Sequence, residues 1–398
     1  MGKRGTVLNS KLMVAALMLF TVFIGFGIII PVLPQTVAIV DEAAAEWHTG
    51  LMLSLYSLVS FVMSPFWGNL SDRVGRRPVI MTGVLGFCVS FLVFGMAGDR
   101  LWMMYASRLL GGLFSGAVTA SIVAYVADIT SEAERTRGMA VVGMSIGLGF
   151  TFGPFVGGVL SEVSLSTPFF AAAGLSLLTF LLGWRKLTES LTPERREAAG
   201  RGARTSRWAA FRGSLKYLYV LAFFVTFSLA ILEATLQLYG MERFAVTPFH
   251  VGLMFFFCGL VGALVQGGFV RRKIRHGQES LYIGIGLVIS AAGFFLLLAA
   301  DSWLAATLCL CVFGVGNAIA RPCVTSLITQ KTTAGQGTAS GLNSAMDSLG
   351  RIAGPMLGAA LLWTADWLPF AVSGVLSLAA LGLLHRFRRL DRAVSASA

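Results

Sequence analysis

Twelve runs of about twenty apolar residues, separated by short polar stretches, account for most of this chain and leave it few ways to fold. A helix needs ~20 residues to cross a ~30 Å hydrocarbon core, and in lipid a backbone must satisfy its own hydrogen bonds. The runs extend roughly from Leu12 to Leu33, Thr49 to Trp67, Val79 to Gly98, Leu101 to Ala127, Thr136 to Leu160, Pro168 to Trp184, Leu215 to Tyr239, Val251 to Val270, Leu281 to Ala300, Trp303 to Ile328, Gly337 to Trp363 and Leu368 to His385. Only 13% of residues are charged and the mean hydropathy is +0.77, whereas about a quarter of a soluble domain is charged. The expected class is an all-α membrane protein of twelve spans.

If both termini lie inside, 26 Lys and Arg residues fall in cytoplasmic segments and only Arg100 and Arg243 fall outside. This asymmetry obeys the positive-inside rule and supports an even number of spans. It also accounts for the net charge of +12 without nucleic acid, because the bases border spans and are not interleaved with stacking aromatics. The N-terminal apolar run ends in Pro31-Val-Leu-Pro34 with no small-residue cleavage site, and reads as an uncleaved first helix. All five cysteines lie within spans and read as packing residues, and no metal site is expected.

A repeat divides the chain in two. Gly149-Phe-Thr-Phe-Gly153-Pro154-Phe-Val-Gly157-Gly158 in span 5 is echoed 201 residues later by Gly350-Arg-Ile-Ala-Gly354-Pro355-Met-Leu-Gly358-Ala359 in span 11. Arg108 in span 4 is matched by Arg321 in span 10, and the polar stretch from Lys186 to Ser214 separates six spans from six. We therefore expect an N-terminal six-helix bundle over 1–186, a cytoplasmic linker over 187–214 and a C-terminal bundle over 215–398. Duplicated halves with a site at mid-membrane are a transporter plan. Small residues four apart permit close helix packing; Pro154 and a bare glycine face also suit a helix that bends and rocks against a partner.

Between spans 2 and 3 lies Gly68-Asn-Leu-Ser-Asp72-Arg73-Val-Gly75-Arg76-Arg77-Pro78. It reads as a tight turn at Gly75, with Asp72 able to face a helix N-terminus and arginines free to pair with acids at neighbouring helix ends. This turn resembles the cytoplasmic signature of the major facilitator superfamily, and Gly149 through Gly158 resembles the glycine motif of its drug:proton antiporters. Gly25-Phe-Gly27-Ile-Ile-Ile-Pro31 in span 1 and Arg108-Leu-Leu-Gly111-Gly112 in span 4 are similar to that group as well. The likeness covers the whole chain and points towards bacterial multidrug pumps of the quinolone and tetracycline type. It implies a latch in which Asp72 approaches span 11 and a turn arginine, among Arg73, Arg76 and Arg77, pairs with Asp128. It also implies the bacterial cytoplasmic membrane, with both termini inside.

Charge inside a span marks function by default, since an ionisable group at mid-bilayer costs at least ~2.5 kcal/mol. Glu233 lies deep in span 7, and Thr226, Glu233 and Gln237 share one helical face, which we expect to point towards water. Glu233 reads either as a proton-loading acid or as a buried acid neutralised by an arginine, and the resembled pumps carry an acid there. They also have an acid in span 10, four residues before an Arg-Pro pair, where this chain has Asn317 before Arg321-Pro322. Asp347, one turn before Arg351, either supplies a second proton site or simply neutralises Arg351. Arg108 reads as a coupling residue or as a side chain snorkelling to the outer headgroups.

Phe26, Tyr56, Phe227, Gln237, Gln266 and Asn317 are the expected substrate contacts, in a cavity whose aromatic walls and carboxylate suit amphipathic cations or zwitterions. Gly143-Met-Ser145-Ile-Gly147 matches a hydrolase elbow, but Ser145 sits in a glycine-rich helical run and all four histidines lie at membrane edges. There is no phosphate-binding G-x-x-x-x-G-K-S/T loop. The expected function is thus proton-driven drug export by alternating access, with no enzymatic activity and no cofactor. Its partners would be a small-molecule substrate, protons and the lipid bilayer, with no nucleic acid and the chain acting as a monomer. Export of one dedicated metabolite such as a sugar or siderophore, proton symport and a non-transporting receptor are the alternatives.

Overall fold

The computed structural model describes residues 2–191, 211, 213–274, 277–332 and 336–397. Most of the expected linker, together with Arg275 and His276, lies outside these residues. Among the described residues the structure is helical throughout, with no strand. The long helices are α1 (Gly2–Val40), α2 (Ala45–Val74), α3 (Arg76–Gly95), α4 (Leu101–Ile129), α5 (Glu132–Ser161) and α6 (Thr167–Lys186). They continue with α7 (Leu215–Phe244), α8 (Pro248–Leu264), α9 (Glu279–Leu298), α10 (Trp303–Lys331), α11 (Gln336–Thr364) and α12 (Leu368–Ser397). After Leu264, α8 passes through a π-helical turn, Val265–Val270, into a last turn, Arg271–Lys273.

Among the described residues, eleven of these helices are long and apolar enough to cross a membrane. The exception is α11, equally long at 29 residues, which carries Asn343, Asp347 and Arg351 along its length. Most helices outrun the apolar segments that announce them. A 30-residue helix such as α5 rises about 45 Å at 1.5 Å per residue, past a ~30 Å core. The turns between helices use ordinary devices: Ser302 Oγ accepts the Ala305 N–H to cap α10, and Thr247 with His250 forms a capping box on α8. Gly75, at φ 116°, sits in a backbone region that favours glycine and permits the sharp break between α2 and α3.

The helices gather into two compact units. One holds α1, the part of α2 from Leu55 onward and α3–α6; the other holds α7–α12 with Ala44–Ser54. Each unit repeats the same neighbours: α1 packs on α5 and α6, and α3 on α4 and α6, as α7 packs on α11 and α12, and α9 on α10 and α12. The glycine-proline segments make the first contact in each set. Gly149, Gly153 and Gly157 lie against the α1 backbone from Phe23 to Ile28, and Gly350, Gly354 and Gly358 lie against α7 from Phe223 to Thr235. Pro154 and Gly158 are buried in the same stretch, and α5 runs through Pro154 without a break in the helix.

Candidate functional site

The turn between α2 and α3 is built around one arginine. Arg76, 8% exposed, reaches Asp72 through Nη1 at 2.6 Å and Asp128 at the end of α4 through Nε at 3.1 Å. Its Nη1 also donates to Ser71 Oγ at 2.7 Å. Arg76 is therefore the turn arginine that meets Asp128. Arg77 instead donates to the Trp184 carbonyl and lies 5.6 Å from that ring's centre, while Arg73 is exposed at the end of α2. The residues following α6 complete the arrangement. Glu189 accepts the backbone N–H groups of Arg76 and Arg77 at 2.9 and 3.1 Å, so a carboxylate faces the N-terminus of α3. Ser190 Oγ donates to Asp128 at 3.2 Å. Glu189 and Ser190 carried no motif in the sequence, and only the fold brings them 113 and 62 residues back along the chain.

Arg108 does not snorkel. It is 2% exposed, with Nη2 donating to Ser107 Oγ at 3.0 Å and its guanidinium 4.8 Å from the Phe94 ring centre and 5.8 Å from that of Phe91. Among the described residues no carboxylate pairs with it, and its Nε has no hydrogen-bond partner. On the other faces of this unit, Phe26 packs on Tyr56 at 5.3 Å and on Phe150 at 5.7 Å between ring centres.

In the second unit the charges pair in a pattern the sequence did not announce. Arg351 Nη1 donates to Glu233 Oε2 at 2.8 Å, joining α11 to α7. Asp347 accepts the Thr226 hydroxyl at 2.6 Å through Oδ1 and faces Arg321 of α10 at 3.5 Å through Oδ2. Arg351 thus serves Glu233 rather than acting only as the neighbour of Asp347. The reason is geometric: α7 packs along α11, and its 226 and 233 positions meet 347 and 351 in turn. The expected polar face of α7 is real, but it is enclosed; Thr226, Glu233 and Gln237 are all buried. Neither amide atom of Gln237 has a partner among the described residues. Phe227 is buried and stacked with Phe223 at 5.2 Å. Asn317 lines a small cavity with Phe224, Ser228, Ser290 and Ser377, whereas Gln266 lies exposed in the π-helical turn of α8.

The hydrolase-like serine and the five cysteines all lie within helices. Ser145 lies inside α5 and donates to the Val141 carbonyl, so it is not on a strand-to-helix elbow. The five cysteines are free, and among the described residues no group of three or more His, Cys, Asp or Glu is placed to hold a metal.

The model of the Major Facilitator Superfamily matches residues 15–353 and again 274–397. The chain belongs to this superfamily. It is 32% identical to multidrug resistance protein 1 of Bacillus subtilis, covering 89% of this chain and 90% of that one. It is 31% identical to the class C tetracycline resistance protein of Escherichia coli, over 91% and 93% of the two chains. The crystal structure of the human organic anion transporter MFSD10 superposes with a TM-score of 0.70, at 27% identity over 95% of this chain and 99% of that one. A multi-pass transporter of small molecules follows from this membership, and the family and fold are those of transporters rather than enzymes.

Proposed function

We propose that this protein is a proton-coupled exporter of amphipathic, charged drug-like molecules, working by alternating access in a bacterial cytoplasmic membrane with both termini inside. The observation that carries the reading is the charge cluster of α7, α10 and α11, where two carboxylates, the buried Glu233 and the part-buried Asp347, are each held within reach of an arginine. Four charges in a membrane interior are costly unless they act. A carboxylate that gains a proton releases its arginine, and that exchange can be linked to substrate occupancy. A membrane potential supplies ~2.3 kcal/mol per proton per 100 mV, enough for modest uphill export. The resistance proteins among its relatives support a drug-like substrate.

In this reading Phe26, Tyr56, Phe227, Gln237, Gln266 and Asn317 are candidate contacts for substrate. The Asp72–Arg76–Asp128 turn, with Gly75, Arg73 and Arg77, and the glycine faces of α5 and α11 tune the conformational switch. The halves over 1–186 and 215–398, joined by residues 187–214, are the moving bodies of a monomer. The test is efflux of a fluorescent lipophilic cation and a fluorescent zwitterion from proteoliposomes with an imposed pH gradient. Efflux should rise with the gradient and fall at least tenfold when both Glu233→Gln and Asp347→Asn are introduced. Export indifferent to the gradient defeats the coupling, and export of one compound only would point to a dedicated metabolite exporter.

A further inference from the structure

Two arginines that the repeat matches in sequence keep different company. Arg321 of α10 faces Asp347 of α11 at 3.5 Å. Arg108 of α4 meets no carboxylate among the described residues. The register of the repeat accounts for the difference. Stepped back by the 201 residues that separate the two glycine-proline segments, the place of Asp347 falls on Ile146. The first half has kept a cation and holds an apolar residue where the second half holds the acid. Within its six apolar runs Arg108 is the one charged residue, apart from Arg137 at the edge of the fifth.

Building on the exporter reading above, we propose that Arg108 receives the carboxylate of an amphipathic aromatic substrate, whose apolar body rests on the rings of Tyr56, Phe26 and Phe150. An ion held inside a membrane protein without a counter-charge is costly unless something meets it. A guanidinium offers five N–H donors in a planar fork that fits a carboxylate through two parallel bonds. Here Nη2 donates to Ser107 Oγ at 3.0 Å, and Ser107 donates onward to the Ser90 carbonyl at 2.7 Å, so the serine fixes the fork without neutralising it. Nε is buried and without a partner. The rings of Phe94 and Phe91 form one wall, backed by Phe169 at 4.1 Å and Phe87 at 4.9 Å between ring centres. Their faces attract the charge but accept no strong hydrogen bond from it.

Tyr56 joins the arginine to the aromatic group. It is close enough to act electrostatically on Arg108, and its ring lies against Gly111, one turn further along α4. It packs on Phe26 at 5.3 Å, and Phe26 packs on Phe150 at 5.7 Å. A fixed cation beside a run of aromatic faces suits a molecule with an anionic head and a flat apolar body. A molecule carrying positive charge alone would be repelled here. Among amphipathic substrates the site therefore selects those with a carboxylate, zwitterions included.

The experiment is equilibrium binding of dansyl-phenylalanine and of dansyl-phenylalanine amide to the purified full chain in detergent, read by dansyl fluorescence. The two probes differ only in the group offered to Arg108. No gradient is imposed, so the result is independent of whether export is coupled to protons. Wild type should bind the carboxylate about tenfold more tightly than the amide. Arg108→Met should abolish that preference by weakening the carboxylate alone, with the affinity for the amide unchanged. Arg108→Lys, which keeps the charge and loses the fork, should retain an intermediate preference. Arg321→Gln should keep the full preference, because that arginine already faces an acid. The assignment is overturned if wild type binds the two probes equally or fails to bind the carboxylate, or if the preference survives Arg108→Met. It also falls if chloride displaces the carboxylate probe and raises the Tm of wild type but not of Arg108→Met, since the site would then serve an inorganic anion.

Discussion

Gly153→Ala is the sharpest probe of the α1–α5 contact, because a single methyl group has nowhere to go. A Cβ at this position would sit 2.7 Å from both the Gly27 Cα and the Ile24 carbonyl oxygen. Carbon contacts are comfortable near ~3.5–4.0 Å, so the two helices would have to part by about 1 Å, and neither obstacle is a side chain that can swing aside. Overpacking of this kind costs ~1–3 kcal/mol. Replacing glycine by alanine within a helix returns roughly 0.5–1 kcal/mol, which leaves a net loss of about 1–2 kcal/mol. At about 2–4 °C per kcal/mol, the Tm should fall by ~2–8 °C in thermal unfolding of the detergent-purified protein. Gly147→Ala is the control: it lies on the same helix, but its Cβ would meet nothing within 4 Å. That variant should hold or raise the Tm. The second unit offers the same comparison in Gly354→Ala, which would approach Ala230 at 2.8 Å, against the unobstructed Gly341→Ala. If Gly153→Ala and Gly147→Ala unfold at the same temperature, the close approach of α1 and α5 is refuted.

Glu189→Gln should weaken the first turn of α3, because one oxygen that now accepts a backbone N–H becomes an amide donor. A loss of about 1–2 kcal/mol is expected, seen as roughly tenfold faster hydrogen exchange at the Arg76 and Arg77 amides; unchanged exchange would deny the cap. Arg108→Met should behave in the opposite sense for stability. An ion without a carboxylate partner among the described residues is replaced by an apolar side chain of similar length, a change that is often neutral or stabilising. The Tm should hold or rise while gradient-driven efflux falls at least tenfold, and a clear drop in Tm would mean that the ring and serine contacts of Arg108 outweigh its burial.

Much of this protein was legible without its structure because the bilayer imposes its rules locally. A run of apolar residues must become a helix, and the glycine spacing of 149–158 and 350–359 declares two bare helix faces in corresponding places. None of these inferences requires knowing which helix lies beside which. Neighbour choice is what the tertiary structure decided. The glycine faces needed partners, and these are α1 and α7. Arg351 was visible beside Asp347 in the sequence, yet its hydrogen bond reaches Glu233, 118 residues away. Asp347 in turn is held by Thr226 across 121 residues. Arg108 had two places to go in the sequence, the headgroups or the interior, and the packing of Phe91, Phe94 and Ser107 selects the interior. Glu189 carried no signal at all, since a carboxylate beyond the end of a helix acquires its role only when another helix begins against it. Hydropathy and charge bias act along the chain, over one helix at a time, whereas ion pairing and capping act through space, over a few ångströms between segments the sequence keeps far apart.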